Sequence, residues 1–160
     1  MISVPNSRGI EISALSLSQS RAGLPYSTHL VVGYWSTHDV SLYSLPHLNL
    51  VATVKLSHLP RSTLLYDIGD KYSRNTKFLF VGMSNGSVAY GSVMKGNIGN
   101  MKVVTLGDSP VSLLACEAPG TTVLAIGSRS VILTMNEDAI SHSPLLLKVT
   151  LRHVLLYGRD

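Results

Sequence analysis

Leu79-Phe80-Val81-Gly82-Met83-Ser84-Asn85-Gly86-Ser87-Val88-Ala89-Tyr90-Gly91-Ser92-Val93 is the stretch on which the fold depends. It continues an apolar run that begins after Lys77, breaks at a polar turn, and returns as an alternating segment. A continuous apolar run of this length suits a strand packed on both faces, and period-two alternation suits a strand with one wetter face. Asn85-Gly86 supplies the positive φ that a tight hairpin requires. The same phrase occurs twice more, as LVVGYWSTHDVSLYSL around Gly33 and VLAIGSRSVILTM around Gly127, so the three glycines lie 49 and 45 residues apart.

Working outward, apolar runs bounded by turn residues predict strands at Ile10–Leu17, Leu30–Trp35, Val40–Leu45, Leu50–Lys55, Ser62–Ile68 and Lys77–Val81. Six more follow at Ser87–Val93, Met101–Leu106, Val111–Glu117, Thr122–Ile126, Val131–Met135 and Leu145–Leu151. One strand per dozen residues leaves no room for the helical crossovers of a parallel sheet, so the fold class is all-β. Four strands per 40 to 50 residues is the blade of a β-propeller of WD-repeat-like construction, and the reading is a partial propeller of about three blades. A β-sandwich is the alternative, because its turns look the same. Three blades fall short of the four to eight that close a ring, so the reading expects part of one propeller of a larger protein. Residues 1–138 form the blades and 139–160 a divergent or truncated tail.

Composition excludes several function classes. Of the 160 residues, 45% are hydrophobic and 14% charged, a balance that supports a packed core and excludes disorder. No apolar run reaches the roughly 18 residues of a membrane helix, and MISVPNSRGI lacks the apolar core of a secretory signal, so an intracellular chain is expected. The net charge of +4 comes from scattered lysines and arginines with no block of five, which reads as a solvated surface and not a phosphate track.

Motifs with catalytic overtones have plainer readings. Gly82-Met83-Ser84-Asn85-Gly86 matches the G-x-S-x-G nucleophile elbow, and Asp108 followed by His142 or His153 repeats the order of a hydrolase triad. An elbow needs a helix after the turn, whereas Ser87–Val93 alternates as a returning strand. Asn85-Gly86-Ser87 also matches a glycosylation acceptor, which is moot in an unexported chain. His29, His38, His47, His58, His142 and His153 show no metal-ligand spacing, and read as surface and turn residues. The single Cys116, in the run VSLLAC, reads as an inert buried thiol. Gly96-Asn97-Ile98-Gly99 lacks the lysine and following helix of a phosphate loop. Tyr34 and Trp35 read as packing groups against the adjoining blade. The expectation is no enzyme, no cofactor, no metal and no catalytic residue.

With the repeats aligned, the chain resembles the family formed by the large damaged-DNA-binding subunit, the A subunit of the cleavage and polyadenylation specificity factor, and the matching splicing factor 3b subunit. The resemblance runs from Glu11 to about Asp138. It rests on VVGYWSTHDVSLYSLPHLNLV, Pro60-Arg61-Ser62-Thr63-Leu64-Leu65, LFVGMSNGSVAYGSV, Lys102-Val103-Val104-Thr105-Leu106-Gly107 with Pro110, and VLAIGSRSVILTMN, in that order and spacing. The PRS-x-LL and VTLG-x-x-P elements look closest to the damage-binding branch, and Gly127-Ser128-Arg129-Ser130 looks closer to the splicing branch. The match fades after Asp138.

The resemblance implies a non-enzymatic scaffold within a chain of three propellers and a helical domain. In the damage-binding branch the second propeller docks a cullin of a RING ubiquitin ligase, and the other two hold WD-repeat substrate receptors. That implies a nuclear, partly cytoplasmic protein that meets damaged DNA or RNA only through its complex, with no membrane or small-molecule partner. Contacts are expected on rim turns such as Ser36–Asp39, Ser84–Gly86 and Lys95–Asn100.

Overall fold

The computed structural model describes residues 11–18, 26–67, 77–99, 101–116, 122–136 and 139–145. These residues contain strands and turns and no helix. The strands form three antiparallel sheets. In the first, β1 (Ile12–Leu17), β2 (His29–Tyr34), β3 (Asp39–Ser44) and β4 (Asn49–Lys55) lie in sequence order. The second contains β5 (Pro60–Tyr66), β6 (Lys77–Met83) and β7 (Ser87–Met94), with the outer position of β7 shared by the short β8 (Asn97–Ile98) and β9 (Lys102–Thr105). In the third, β10 (Ser112–Cys116), β11 (Thr122–Ile126), β12 (Val131–Asn136) and β13 (Ala139–Pro144) again run in order.

β1 packs on β5 and β5 on β10, so the first strand of each sheet faces its counterpart while the fourth lies outermost. Three sheets stacked in this way are three consecutive blades of a propeller, and the sandwich alternative, with two, is excluded. Gly33 and Gly82 lie on the second strand of successive sheets, and Gly127 directly follows the second strand of the third. They occupy the equivalent places that the 49 and 45 residue spacing predicts.

The strand chemistry follows from this stacking. β6 is buried on both faces because Leu79 and Val81 point into the core shared with the first sheet, against Val31, Val40 and Leu42. Phe80 points the other way, into a second core with Val123, Ala125, Val131 and Leu133. Complete burial of Phe80 contributes about 1.5–3 kcal/mol. The outer β4 has no such partner on both sides and exposes Leu50.

The structure departs from the sequence reading at the sheet margins. Ala139–Pro144, assigned by sequence to the tail, pairs in register with β12 as the outermost strand of the third sheet. Its pattern escaped detection because Ser141, His142 and Ser143 form a polar run with His142 and Ser143 exposed, and an edge strand also tolerates Pro144. Leu145, expected to begin a strand, instead directly follows this one and donates its amide to the Ser130 carbonyl at 2.9 Å. Residues 146–151 of that expected strand lie outside the described residues. Trp35 and Leu45, read as strand ends, lie in the following turns.

Each of the first two blades carries a β-bulge opposite its glycine. Register shifts between Ile12 and Ala14 and between Pro60 and Ser62 make Ser13 and Arg61 the extra residues, opposite Gly33 and Gly82. A bulge re-aims a side chain and increases local twist. The glycines themselves leave room for the next blade: a Cβ on Gly33 would meet Pro60 Cγ at 2.9 Å, and one on Gly82 would overlap the Val111 carbonyl oxygen and Ser62 Oγ.

Candidate protein-interaction rim

The hairpin turns of the three blades share one rim, joined by a chain of hydrogen bonds. Trp35 N–H donates to the Glu11 carbonyl at 2.8 Å, and Leu56 N–H donates to the His38 carbonyl at 3.1 Å. Ser84 N–H reaches the Leu59 carbonyl at 2.9 Å, Leu106 N–H the Gly86 carbonyl at 2.8 Å, and Val111 N–H the Met83 carbonyl at 3.2 Å. Each connection between blades is thereby pinned to the hairpin before it. Gly86 has φ +83°, the positive value expected from Asn85-Gly86, and Asn85 Oδ1 accepts from Ser87 N–H at 3.2 Å.

Two features stand out on this rim. Trp35 is 47% exposed, and the Arg61 guanidinium carbon lies 5.8 Å from its ring centroid. Arg61 reaches that position because it is the bulged residue of β5. The pair joins blades one and two and leaves the tryptophan about half exposed. The Tyr34 hydroxyl bonds within its own sheet to the Tyr43 hydroxyl at 2.8 Å. Burial first, and that hydrogen bond second, push the Tyr34 phenol up to about 12.

The second feature ties the β11–β12 turn to the β9–β10 connection. Ser128 Oγ donates to Asp108 Oδ1 at 2.5 Å, lies 2.6 Å from Ser109 Oγ, and accepts from the Asp108 and Ser109 amides at 3.3 and 3.0 Å. The hydrogen bond from Ser128 is the main reason the Asp108 carboxyl sits below the ordinary carboxylate range.

The residues singled out for chemistry are not brought together. Ser84 lies in the β6–β7 hairpin turn and runs directly into β7, so the helix of a nucleophile elbow is missing. Asp108 bonds Ser128 and Ser109, and His142 belongs to β13; His153 lies outside the described residues. No group of three metal-ligating side chains occurs among the described residues. Cys116 is partly buried in β10. Ser84 is expected to show no labelling by a fluorophosphonate probe; stoichiometric labelling at Ser84 would contradict the hairpin reading.

Of the three turns expected to carry contacts, Ser36–Asp39 and Ser84–Gly86 share the rim just described. Lys95–Gly99 lies at the other end of β7, on the opposite rim. Residues 128–130, the equivalent turn of the third repeat between β11 and β12, join the first two. The opposite rim holds a half-buried cluster: His29 Nδ1 lies 2.8 Å from Thr28 Oγ1, and Lys77 Nζ lies 3.4 Å from both atoms. Burial, then the Lys77 charge, hold His29 below the ordinary histidine value. The unfolded chain therefore takes up the proton first as pH falls below about 6.5. The stabilising contribution of neutral His29 is present above that value and is lost as pH drops through the folded pKa. His29→Gln is expected to flatten the slope of stability against pH in this window, measured by urea unfolding at several pH values; an unchanged slope would contradict it.

Comparison with known proteins agrees with this architecture. Residues 4–155 match the family described as the RSE1/DDB1/CPSF1 second beta-propeller. The chain belongs to this family. DNA damage-binding protein 1 of Solanum lycopersicum is 27% identical over 143 residues, and that of Oryza sativa subsp. japonica is 28% identical over 144. Both alignments cover 86% of this chain and 13% of the relative, so the chain spans about an eighth of their length.

As part of an RSE1/DDB1/CPSF1 second propeller, the short sequence elements acquire structural meaning. In Pro60-Arg61-Ser62, Pro60 packs on Gly33, Arg61 covers Trp35, and Ser62 Oγ donates to the Val111 carbonyl at 2.7 Å. In Val104-Thr105-Leu106-Gly107, Leu106 binds Gly86, and Gly107 passes so close to Ser128 that a Cβ would lie 2.7 Å from that side chain. These motifs build the joints between blades.

Proposed function

We propose that this chain acts as a non-enzymatic scaffold in a nuclear damaged-DNA-binding subunit, as part of the propeller that docks the cullin of a RING ubiquitin ligase. The observation that carries this reading is the half-exposed Trp35 capped by Arg61 on a hydrogen-bonded rim, in a chain of the second-propeller family. Tryptophan and arginine dominate binding hot spots because a large rigid surface and a planar cation are immobilised at little further entropic cost. A rim held by interblade hydrogen bonds is preorganised in the same sense. In this reading, WD-repeat substrate receptors and damaged DNA meet the rest of the complex, not these blades. The curated relatives support the repair branch by the name they carry, DNA damage-binding protein 1.

Binding of a cullin amino-terminal domain tests the reading, measured with the 160-residue chain and with a longer form that supplies additional blades. Binding by either form supports the adaptor role. Folded protein that binds in neither form rejects it and favours a scaffold of messenger RNA cleavage or splicing, which the Gly127-Ser128-Arg129-Ser130 element resembles.

A further inference from the structure

We infer that Ser109 is a phosphoacceptor for a proline-directed protein kinase, and that phosphate there opens the tie between the β9–β10 connection and the β11–β12 turn. The inference stands independently of cullin docking. The sequence contains two Ser-Pro pairs, Ser109-Pro110 and Ser143-Pro144, and no Thr-Pro. Ser143 lies within β13, in register with Ile132, where its backbone is committed to a sheet. Ser109 lies outside any strand, at an exposed bend on the rim. Pro110 has no amide hydrogen and a fixed φ, the two properties by which a proline-directed kinase selects the residue after its acceptor.

In the transfer, Ser109 Oγ forms a bond to the γ-phosphorus of ATP, the bond to the bridging oxygen breaks, and ADP departs. The hydroxyl proton passes to the kinase's catalytic base. The product carries a charge of about −1.5 to −2 and can no longer donate from Ser109 Oγ. That oxygen now lies 3.4 Å from Asp108 Oδ1 and 2.6 Å from Ser128 Oγ, so the phosphate arrives against an ionised carboxylate. Repulsion drives Asp108 away, and the phosphate competes for the single Ser128 proton. The exposed Arg129, next to Ser128 on the same turn, offers the compensating cation. With Ser128 drawn off, the Asp108 and Ser109 amides lose the acceptor that now holds them at 3.3 and 3.0 Å.

The test incubates the full chain with a purified proline-directed kinase and ATP, and maps phosphate by tandem mass spectrometry. Phosphate is expected at Ser109 in the folded protein, absent in Ser109→Ala and Pro110→Ala and unchanged in Ser143→Ala, with circular dichroism showing each variant folded. Hydrogen exchange at the Asp108 and Ser109 amides is expected to accelerate about tenfold or more on phosphorylation, and Ser128→Ala to reproduce that acceleration without phosphate. Phosphate confined to Ser143, phosphate at Ser109 only in urea-unfolded protein, or unaltered exchange after phosphorylation would each overturn the proposal.

Discussion

Gly82→Ala is expected to destabilise the chain by about 3 kcal/mol, the sum of an overpacking penalty of 1–3 kcal/mol and a lost hydrogen bond of about 1 kcal/mol. A methyl group at this position would overlap the Val111 carbonyl oxygen and Ser62 Oγ, with the Val111 carbonyl carbon at 3.0 Å. The obstacle is backbone of the next blade, and the Ser62 to Val111 bond of 2.7 Å would break as the sheets are forced apart. The equivalent glycines provide an internal scale. At Gly33 the nearest obstacle is the ring of Pro60 at 2.9 Å, which has some freedom to shift, so Gly33→Ala should cost about 1–2 kcal/mol. At Gly127 the nearest atom is Val111 Cγ2 at 3.4 Å, ordinary contact, so Gly127→Ala should lie within about 1 kcal/mol of the parent, on either side. Urea unfolding midpoints of the three variants check this order. Equal costs at Gly82 and Gly127 would contradict the close blade approach.

Under the proposed adaptor role, Trp35→Ala is expected to weaken cullin binding by about 30-fold, equivalent to a hot-spot loss of roughly 2 kcal/mol. Its effect on stability should be smaller, about 1 kcal/mol or less, because nearly half the residue is already exposed and its backbone N–H bond to Glu11 survives. Arg61→Ala should lose less affinity than Trp35→Ala, since it removes the cap and leaves the ring. The two effects should be non-additive because the groups are in contact. A calorimetric titration of the cullin amino-terminal domain against the two variants and their double variant measures each term. Unchanged affinity in folded Trp35→Ala would remove this rim from the interface.

The central strands were legible because burial on both faces leaves an apolar run that nothing else explains. Phe78-Leu79-Phe80-Val81 serves two cores at once, and the glycine of each of the first two repeats, Gly33 and Gly82, marks where its blade meets the next. The outer strands were less legible. β13 is polar and edge-placed, so its sequence carries little record of its pairing. The turns around Gly33, Gly82 and Gly127 were legible as equivalent places of the repeat, whereas the rim on which Lys95–Gly99 stands was not. Lys95–Gly99 and Ser84–Gly86 belong to opposite rims only because β7 runs the full height of the blade between them.

What the sequence by itself determined was the repeat, the all-β class, the equivalence of Gly33, Gly82 and Gly127, and the family. Each is encoded locally, through periodicity of burial and turn chemistry, or by the order of short motifs. Only the tertiary structure decided the pairings across blades: Arg61 over Trp35, Ser128 with Asp108 and Ser109, and Val111 against Gly82. Arg61 and Trp35 are 26 positions apart and meet because a bulge turns one side chain out while sheet stacking brings its strand alongside the other blade. Bulge register and blade spacing are properties of packed sheets, and no single strand's sequence specifies them.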